Sequence, residues 1–272
     1  MDERLQRRVQ RYGWDKASEH YERFWAKQLA PAHQLLLELA APAPGESLLD
    51  IACGTGLVTF PAARAVGPNG RVVGTDLSAE MIKAIAARAA AEDLRGEFLR
   101  QDAEELEFDD GTFDVVLCAL GLMYVPTALK ALREMRRVLK PGGRAVVSVW
   151  GARKNCGWAE IFPIVERRVA SEVCPLFFML GSGDALSDAF STAGFARTET
   201  RRIAPTLDFA SPDEAIGASF VGGPVALAYS HFDAPTRESA HAEYLESIAP
   251  WRDGAGYRVP GEFVVVRGDV AD

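Results

Sequence analysis

The chain has 272 residues, 48% of them hydrophobic and 25% charged, with a formal net charge of −8. That is enough apolar chain for one folded α/β domain, and its acidity argues against a phosphate backbone as the partner. Four scattered cysteines, Cys53, Cys118, Cys156 and Cys174, form no Cys-x-x-Cys pair, which argues against a zinc or disulfide framework and for reduced thiols in the cytoplasm.

The N-terminus is charged and lacks the apolar centre of a signal peptide. No stretch approaches the roughly 18 apolar residues of a membrane span. Residues 15–40 carry Tyr21, Phe24, Trp25, Leu29, Leu35, Leu36, Leu37 and Leu39 at helical spacing, and Pro31 predicts two helices meeting there. The aromatic group Trp14, Tyr21, Phe24 and Trp25 reads as packing of the helix onto a sheet.

Leu48 to Ile51 form an apolar run that ends in Ala52-Cys53-Gly54-Thr55-Gly56, the pattern of a buried parallel strand entering a tight turn. Gly54 and Gly56 let the backbone approach a ligand closely. A helix through Pro61 to about Val66 follows, and then a strand ending at Asp76, near the roughly 20-residue offset of a ribose-binding acid. A pyrophosphate is disfavoured, because the third glycine position holds Thr59 and Asp50 sets a negative charge beside the anion. The expected guest carries positive charge near Asp50 and ribose hydroxyls near Asp76. S-adenosylmethionine meets both requirements and NAD does not.

Ser78 predicts the cap of a helix whose Met81, Ile82, Ile85 and Ala89 share a face. Glu97 to Asp102 is a third strand ending in an acid, and Phe113 to Ala119 a central one. A helix from about Thr127 to Leu139 follows, and Lys140-Pro141-Gly142-Gly143 predicts a turn into a fifth strand ending at Trp150. Beyond it lie predicted helices at Trp158 to Ala170 and Asp184 to Ala193, a strand at Phe195 to Ile203 and a last strand at Glu262 to Arg267.

Residues 48–56, Asp76-Leu77-Ser78, Gln101-Asp102-Ala103, Phe113 to Val116 and Arg137 to Gly143 resemble, in order, the successive motifs of class I S-adenosylmethionine-dependent methyltransferases. Among these the chain is most similar to the small-molecule branch that includes the ubiquinone/menaquinone C-methyltransferases. The resemblance covers roughly residues 45–150, and it departs at Ala52, where the family usually has Gly.

The resemblance implies one α/β domain over residues 1–272, a doubly wound Rossmann-like sheet of seven strands with one antiparallel member. Residues 1–44 would form a helical lid, 45–203 the cofactor-binding core and 204–260 a helical cap insertion. It implies cofactor contacts from Asp50, Ala52, Gly54, Gly56, Asp76, Leu77, Met81, Gln101, Asp102, Ala103 and Ala119, with Leu77 on the adenine ring and Asp102 accepting from its amino group.

Tyr21, Trp25, Met123 and Tyr124 are the expected acceptor-pocket residues, and Phe209, Phe220, Tyr229, Phe232, Tyr244, Trp251 and Tyr257 either cap that pocket or form a satellite core. Methyl transfer to O, N or C of a small, partly apolar molecule is the expected activity, leaving S-adenosylhomocysteine. No DNA-methylating Asn/Asp-Pro-Pro-Tyr motif and no magnesium-holding acids follow the fourth strand, so neither nucleic acid nor metal is expected. The alternatives are an inactive methyltransferase-like binding subunit and an NAD-dependent oxidoreductase. His20, Tyr21 and Tyr124 are the candidates for proton removal, in a reaction that positioning could carry largely alone.

Overall fold

The computed structural model describes residues 3–169 and 177–272. Cys174 and the end of the helix expected to reach Ala170 lie outside them. The chain opens with α1 (Glu3–Ala40), followed by β1 (Ser47–Ile51), α2 (Thr59–Val66), β2 (Arg71–Asp76), α3 (Ala79–Ala91), β3 (Glu97–Arg100) and β4 (Phe113–Ala119). Then come α4 (Ala128–Val138), β5 (Leu139–Trp150), α5 (Ile161–Glu166), α6 (Ala185–Ala193) and β6 (Arg197–Ile203). The insertion holds β7 (Thr206–Phe209), α7 (Pro212–Ile216), α8 (Ala226–Tyr229), α9 (Ala234–Ser247), β8 (Arg252–Asp253) and β9 (Gly256–Pro260), and β10 (Phe263–Asp269) closes the chain.

The main sheet runs β3-β2-β1-β4-β5-β10-β6. All neighbours are parallel except β10, which lies antiparallel to both β5 and β6. Both faces of the central strands are buried, which is why they read as continuous apolar runs rather than alternating ones. Leu48, Val115, Leu117, Val146 and Val265 meet Leu36, Leu39, Ala62 and Val66 of α1 and α2 on one face. Leu49, Val116, Val147 and Val264 meet Leu132, Met135 and Phe190 of α4 and α6 on the other. The order reverses between β1 and β4, so their carboxyl ends frame the crevice where such sheets hold ligands.

Three expectations are corrected. α1 is one helix that continues through Pro31. Pro31 is exposed there while Ala32, His33 and Leu36 are buried, so the carbonyl that loses its partner can turn to water. Lys140 to Gly143 is not a turn before β5 but a bulge inside it, since the pairing jumps from Phe113 with Leu139 to Val115 with Arg144. Gly142 takes φ 73° in that bulge.

The insertion is not purely helical either, because β7, β9 and β8 form a small antiparallel sheet. Its Phe209, Phe220, Phe232, Tyr244 and Tyr257 are buried in the main core rather than in a satellite. The insertion is tied to α1: the Gln28 side-chain amide donates to Asp208 O (2.6 Å) and accepts from Asp208 N (3.0 Å), as a neighbouring strand would. Trp25 Nε1 donates to Ala218 O (3.1 Å). A Cβ on Gly217 would stand 2.2 Å from Phe24 Cζ, so only glycine allows this close approach. Among the described residues, no helix is long and apolar enough to cross a membrane.

Candidate functional site

A cavity with an empty volume of about 770 Å³, part of it open to solvent, lies over the carboxyl ends of β1 to β4. Each strand brings one short loop to it: Ala52 and Gly54 after β1, Asp76 and Leu77 from β2, Gln101 to Ala103 after β3, and Ala119 to Gly121 from β4. Met81 enters from α3, and Arg7, Gln10, Trp14 and Tyr21 of α1 form the roof.

The turn after β1 depends on backbone that side chains rarely adopt. Ala52 has φ 55° and Gly54 φ 54°. A left-handed alanine costs about 1 to 2 kcal/mol, and its methyl finds room only because Gly121 has none, a Cβ there falling 2.4 Å from Ala52 Cβ. Leu120 beside it is also left-handed, at φ 57°. Strain of this kind gathers where a structure holds a ligand-facing turn in place.

Asp76 accepts from two backbone amides, Gly54 N at 3.0 Å and Ser78 N at 2.8 Å. Each carboxylate oxygen retains a lone pair for a further donor. Burial pushes the Asp76 carboxyl up to about 6 despite those bonds, with Asp15 adding to the rise. Ser78 caps α3 through Met81 N (3.1 Å), and its hydroxyl donates to Asp15 of α1 (2.6 Å).

Asp50 and Gly56 do not line the cavity. Asp50 is 1% exposed beneath the turn, where its Oδ2 accepts from Thr59 Oγ1 at 2.6 Å. Its Oδ1 is buried without a partner among the described residues. Burial first, then the charge of Asp76, raises this carboxyl to about 7. Thr59, which breaks the glycine pattern of a phosphate loop, is thus the hydroxyl that anchors Asp50. Gly56 serves the fold: at φ 91° a Cβ on it would lie 2.2 Å from the Phe60 ring, so the missing side chain admits Phe60 rather than a ligand.

Asp102 is already engaged. Arg7 Nε lies 2.7 Å from its Oδ2, and Arg7 also pairs with Glu104, which is 1% exposed and accepts from Thr127 N at 2.9 Å. Arg7 and Gln10 line the cavity without a sequence expectation. The local signal, Arg7 among basic residues in the second turn of α1, reveals no partner far along the chain.

A second, smaller cavity adjoins the first and shares Trp14, Tyr21, Leu120 and Tyr124 with it. Trp25 and Met123 line it, joined by Leu29, Trp150, Trp158, Gly223 and Pro224. The insertion therefore reaches it through the Gly223-Pro224 loop and not through its aromatics. Trp14 packs edge-on against both Tyr21 (5.5 Å) and Tyr124 (5.1 Å), fixing the shared wall. Burial, Asp76 and Asp50 all raise the Tyr21 phenol, which therefore keeps its proton at neutral pH. His20 lines neither cavity and sits beside Phe24, ring centres 6.5 Å apart.

The comparisons agree with this geometry. Residues 48–143 match the family model described as a methyltransferase domain. The chain is 31% identical over 214 residues to nocamycin O-methyltransferase of Saccharothrix syringae, covering 73% of this chain and 76% of that protein. It is 46% identical over 103 residues to a demethylmenaquinone methyltransferase of Lactococcus lactis, a stretch that spans 38% of this chain and 41% of that one. It is also 46% identical over 128 residues to a ubiquinone/menaquinone biosynthesis C-methyltransferase of Ectopseudomonas mendocina, spanning 46% of this chain and half of that one.

Among solved structures, a methyltransferase of Bacillus halodurans superposes with a TM-score of 0.62 at 20% identity, covering 89% of this chain and all of that one. A phosphoethanolamine N-methyltransferase of Haemonchus contortus superposes at 0.61 and 18% identity, covering 95% of this chain and 58% of that one. With a relative above 30% identity over most of its length and a methyltransferase domain model matching residues 48–143, the chain belongs to the class I S-adenosylmethionine-dependent methyltransferases.

Proposed function

We propose that this protein moves the methyl group of S-adenosylmethionine, held in the larger cavity, to a neutral, partly apolar small molecule held in the smaller one. The observation that carries the reading is the wall of Trp14, Tyr21, Leu120 and Tyr124 shared by the two cavities, one polar at its base and one aromatic. The residues fit the cofactor. Asp50 has an orphaned buried oxygen and a raised pKa that a nearby cation would relieve. Asp76 has acceptor capacity for ribose hydroxyls, and Gly54 and Gly121 keep the turn free of side chains.

When bound, the cofactor supplies an electrophilic methyl on a sulfonium. The chain's own part is binding, orientation and water exclusion. Asp50 would provide negative charge beneath the methionine portion, and Asp76 would bind the ribose. Asp102 would serve the adenine amino group with the lone pairs left by Arg7, while Leu77 and Met81 pack on the ring and Gln101, Ala103, Ala52 and Ala119 complete the walls. Tyr21, with its phenol protonated, can donate but not remove a proton. Trp25, Met123 and Tyr124 would hold the acceptor in near-attack geometry, which is worth up to about 7 to 11 kcal/mol.

The net charge of −8 supports a small molecule over nucleic acid. The similarity to a nocamycin O-methyltransferase and to quinone C-methyltransferases supports a partly apolar acceptor. Incubating the protein with S-adenosylmethionine and a panel of metabolites, then searching by mass spectrometry for the gain of one methylene, tests the reading. Methylation of bulk RNA or DNA in place of any small molecule would overturn it.

A further inference from the structure

Helix α1 buries three glutamines, Gln6, Gln10 and Gln28, and the fold explains two of them. Gln6 donates from Nε2 to Tyr124 O at 3.4 Å. Gln28 holds the Asp208 backbone through both ends of its carboxamide. Gln10 is different: it is 7% exposed and lines the larger cavity, and its carboxamide has no hydrogen-bond partner among the described residues. Neither its Oε1 nor its Nε2 is among the unpaired atoms sealed from accessible space, so both ends reach the space that the residue lines. A buried carboxamide without partners costs stability. Gln6 and Gln28 show that α1 can match one where only packing is required.

The position of Gln10 on the helix narrows what it can meet. Arg7, three residues earlier and about 4.5 Å back along the axis, is ion-paired with Asp102. Trp14, four residues later, packs against Tyr21 and Tyr124 at the wall between the two cavities. Gln10 therefore stands over the stretch between the acid after β3 and that wall. A carboxamide sets a donor beside an acceptor, so a full match needs a group that sets an acceptor beside a donor. In S-adenosylmethionine the carboxylate only accepts and the ammonium only donates. The ribose hydroxyls do both, but Asp76 would take them from β2. Adenine presents N6–H beside N7, the pair that a glutamine side chain meets with two bonds in one plane. Its amino group has two protons, one for Asp102 and one for Gln10.

We infer that Gln10 reads the adenine of S-adenosylmethionine, its Oε1 accepting from N6–H and its Nε2 donating to N7. The inference rests on the reading of the larger cavity as the cofactor site. It adds a specificity contact from the roof, on a helix outside the residues 48–143 that match the methyltransferase domain. A site that holds a donor for N7 rejects an analogue without that acceptor much more strongly than an apolar pocket rejects a size change.

The test measures binding to the full chain by calorimetry, with S-adenosylhomocysteine and with its 7-deaza analogue S-tubercidinylhomocysteine, in which a C–H replaces N7. The wild type should bind the analogue roughly tenfold more weakly, because Nε2 then faces carbon. Gln10→Leu and Gln10→Met are close in volume and form helix well. Both should bind S-adenosylhomocysteine roughly tenfold more weakly than the wild type does, and both should shrink the preference for N7 to about twofold or less. In wild type labelled with ¹⁵N at the glutamine side chains, the assigned Gln10 amide protons should move downfield with S-adenosylhomocysteine and less with the analogue.

Equal binding of the two compounds by the wild type would overturn the inference, as would variants that bind S-adenosylhomocysteine as the wild type does. Variants that keep the tenfold preference would also overturn it, by placing the N7 contact elsewhere. Unmoved Gln10 amide signals at saturating S-adenosylhomocysteine would do so in the wild type alone, which decides the question even if neither variant folds. A wild type that binds neither compound would overturn the underlying cofactor reading instead.

Discussion

Arg7 Nε lies 2.7 Å from Asp102 Oδ2, so the second turn of α1 is ion-paired with the acid that follows β3 on the far side of the cavity. Arg7 also meets Glu104, whose side chain is wholly inaccessible. Removing the guanidinium leaves that carboxylate buried without its cation. Arg7→Leu should therefore destabilise the protein by about 1 to 3 kcal/mol in urea unfolding. Glu104→Gln in the same background should return most of the loss. A change below about 0.5 kcal/mol in Arg7→Leu would show that the pair contributes no more than an exposed one.

A Cβ on Gly121 would fall 2.4 Å from the methyl of Ala52. Gly121→Ala should cost about 1 to 3 kcal/mol by overpacking. In an Ala52→Gly background, where that methyl is absent, the cost should drop by more than half. A double-mutant cycle by thermal or urea unfolding reads the coupling directly. Additive losses would mean that the two loops move apart independently.

Much of this site could be read from local sequence. Asp76 ends an apolar run and Gly54 follows one, so the pattern that marks each of those strands also marks the residue beyond it, while Asp102 follows a short and mostly exposed strand. Local reading failed where the decisive partner is distant. Arg7 gave no sign that it would reach Asp102, and Thr59 looked only like a missing glycine until its bond to Asp50 explained it. Pro31 predicted a break, but a proline on the exposed face of a helix otherwise held by Leu29, Ala32 and Leu36 costs too little to stop it. The aromatics of the insertion were legible as buried, yet sequence could not say that they join the main core and leave Gly223 and Pro224 to meet the cavity.

The raised carboxyls give a pH signature. In the folded state Asp50 titrates at about 7 and Asp76 at about 6, both pushed up from 3.8 chiefly by burial. Between roughly pH 4 and 7 the folded protein thus holds protons that the unfolded chain has lost. The stability these two groups contribute is fully present below the unfolded value and is lost as pH rises through the folded ones. Ligand-free protein should accordingly lose stability from these groups as pH rises across that window. A cationic ligand favours the ionised forms, so S-adenosylmethionine should bind more tightly as pH rises through about 6 to 7 and expel protons as it does. Calorimetry near pH 6.5 in buffers of different ionisation heat measures the release. Net proton uptake would contradict the placement of the cation near Asp50.

His20 sits outside both cavities, against Phe24. A positioned base is worth about 10²- to 10⁴-fold, so His20→Ala should lower turnover at saturating substrate by far less than 10²-fold. A loss within or above that range with cofactor affinity unchanged would show that a base is in use and that α1 moves to deliver it.

The central claim is that the cavity over β1 to β4 holds S-adenosylmethionine with Asp76 on its ribose. Isothermal calorimetry of the wild type and of Asp76→Ala, each with S-adenosylmethionine and with NAD, tests it most directly. The wild type should bind S-adenosylmethionine and not NAD. Loss of hydrogen bonds to a charged acceptor, about 1.5 to 3 kcal/mol, should weaken binding by Asp76→Ala roughly 10- to 150-fold. Equal affinity of the wild type for NAD, or an Asp76→Ala protein that binds S-adenosylmethionine as the wild type does, would contradict the account.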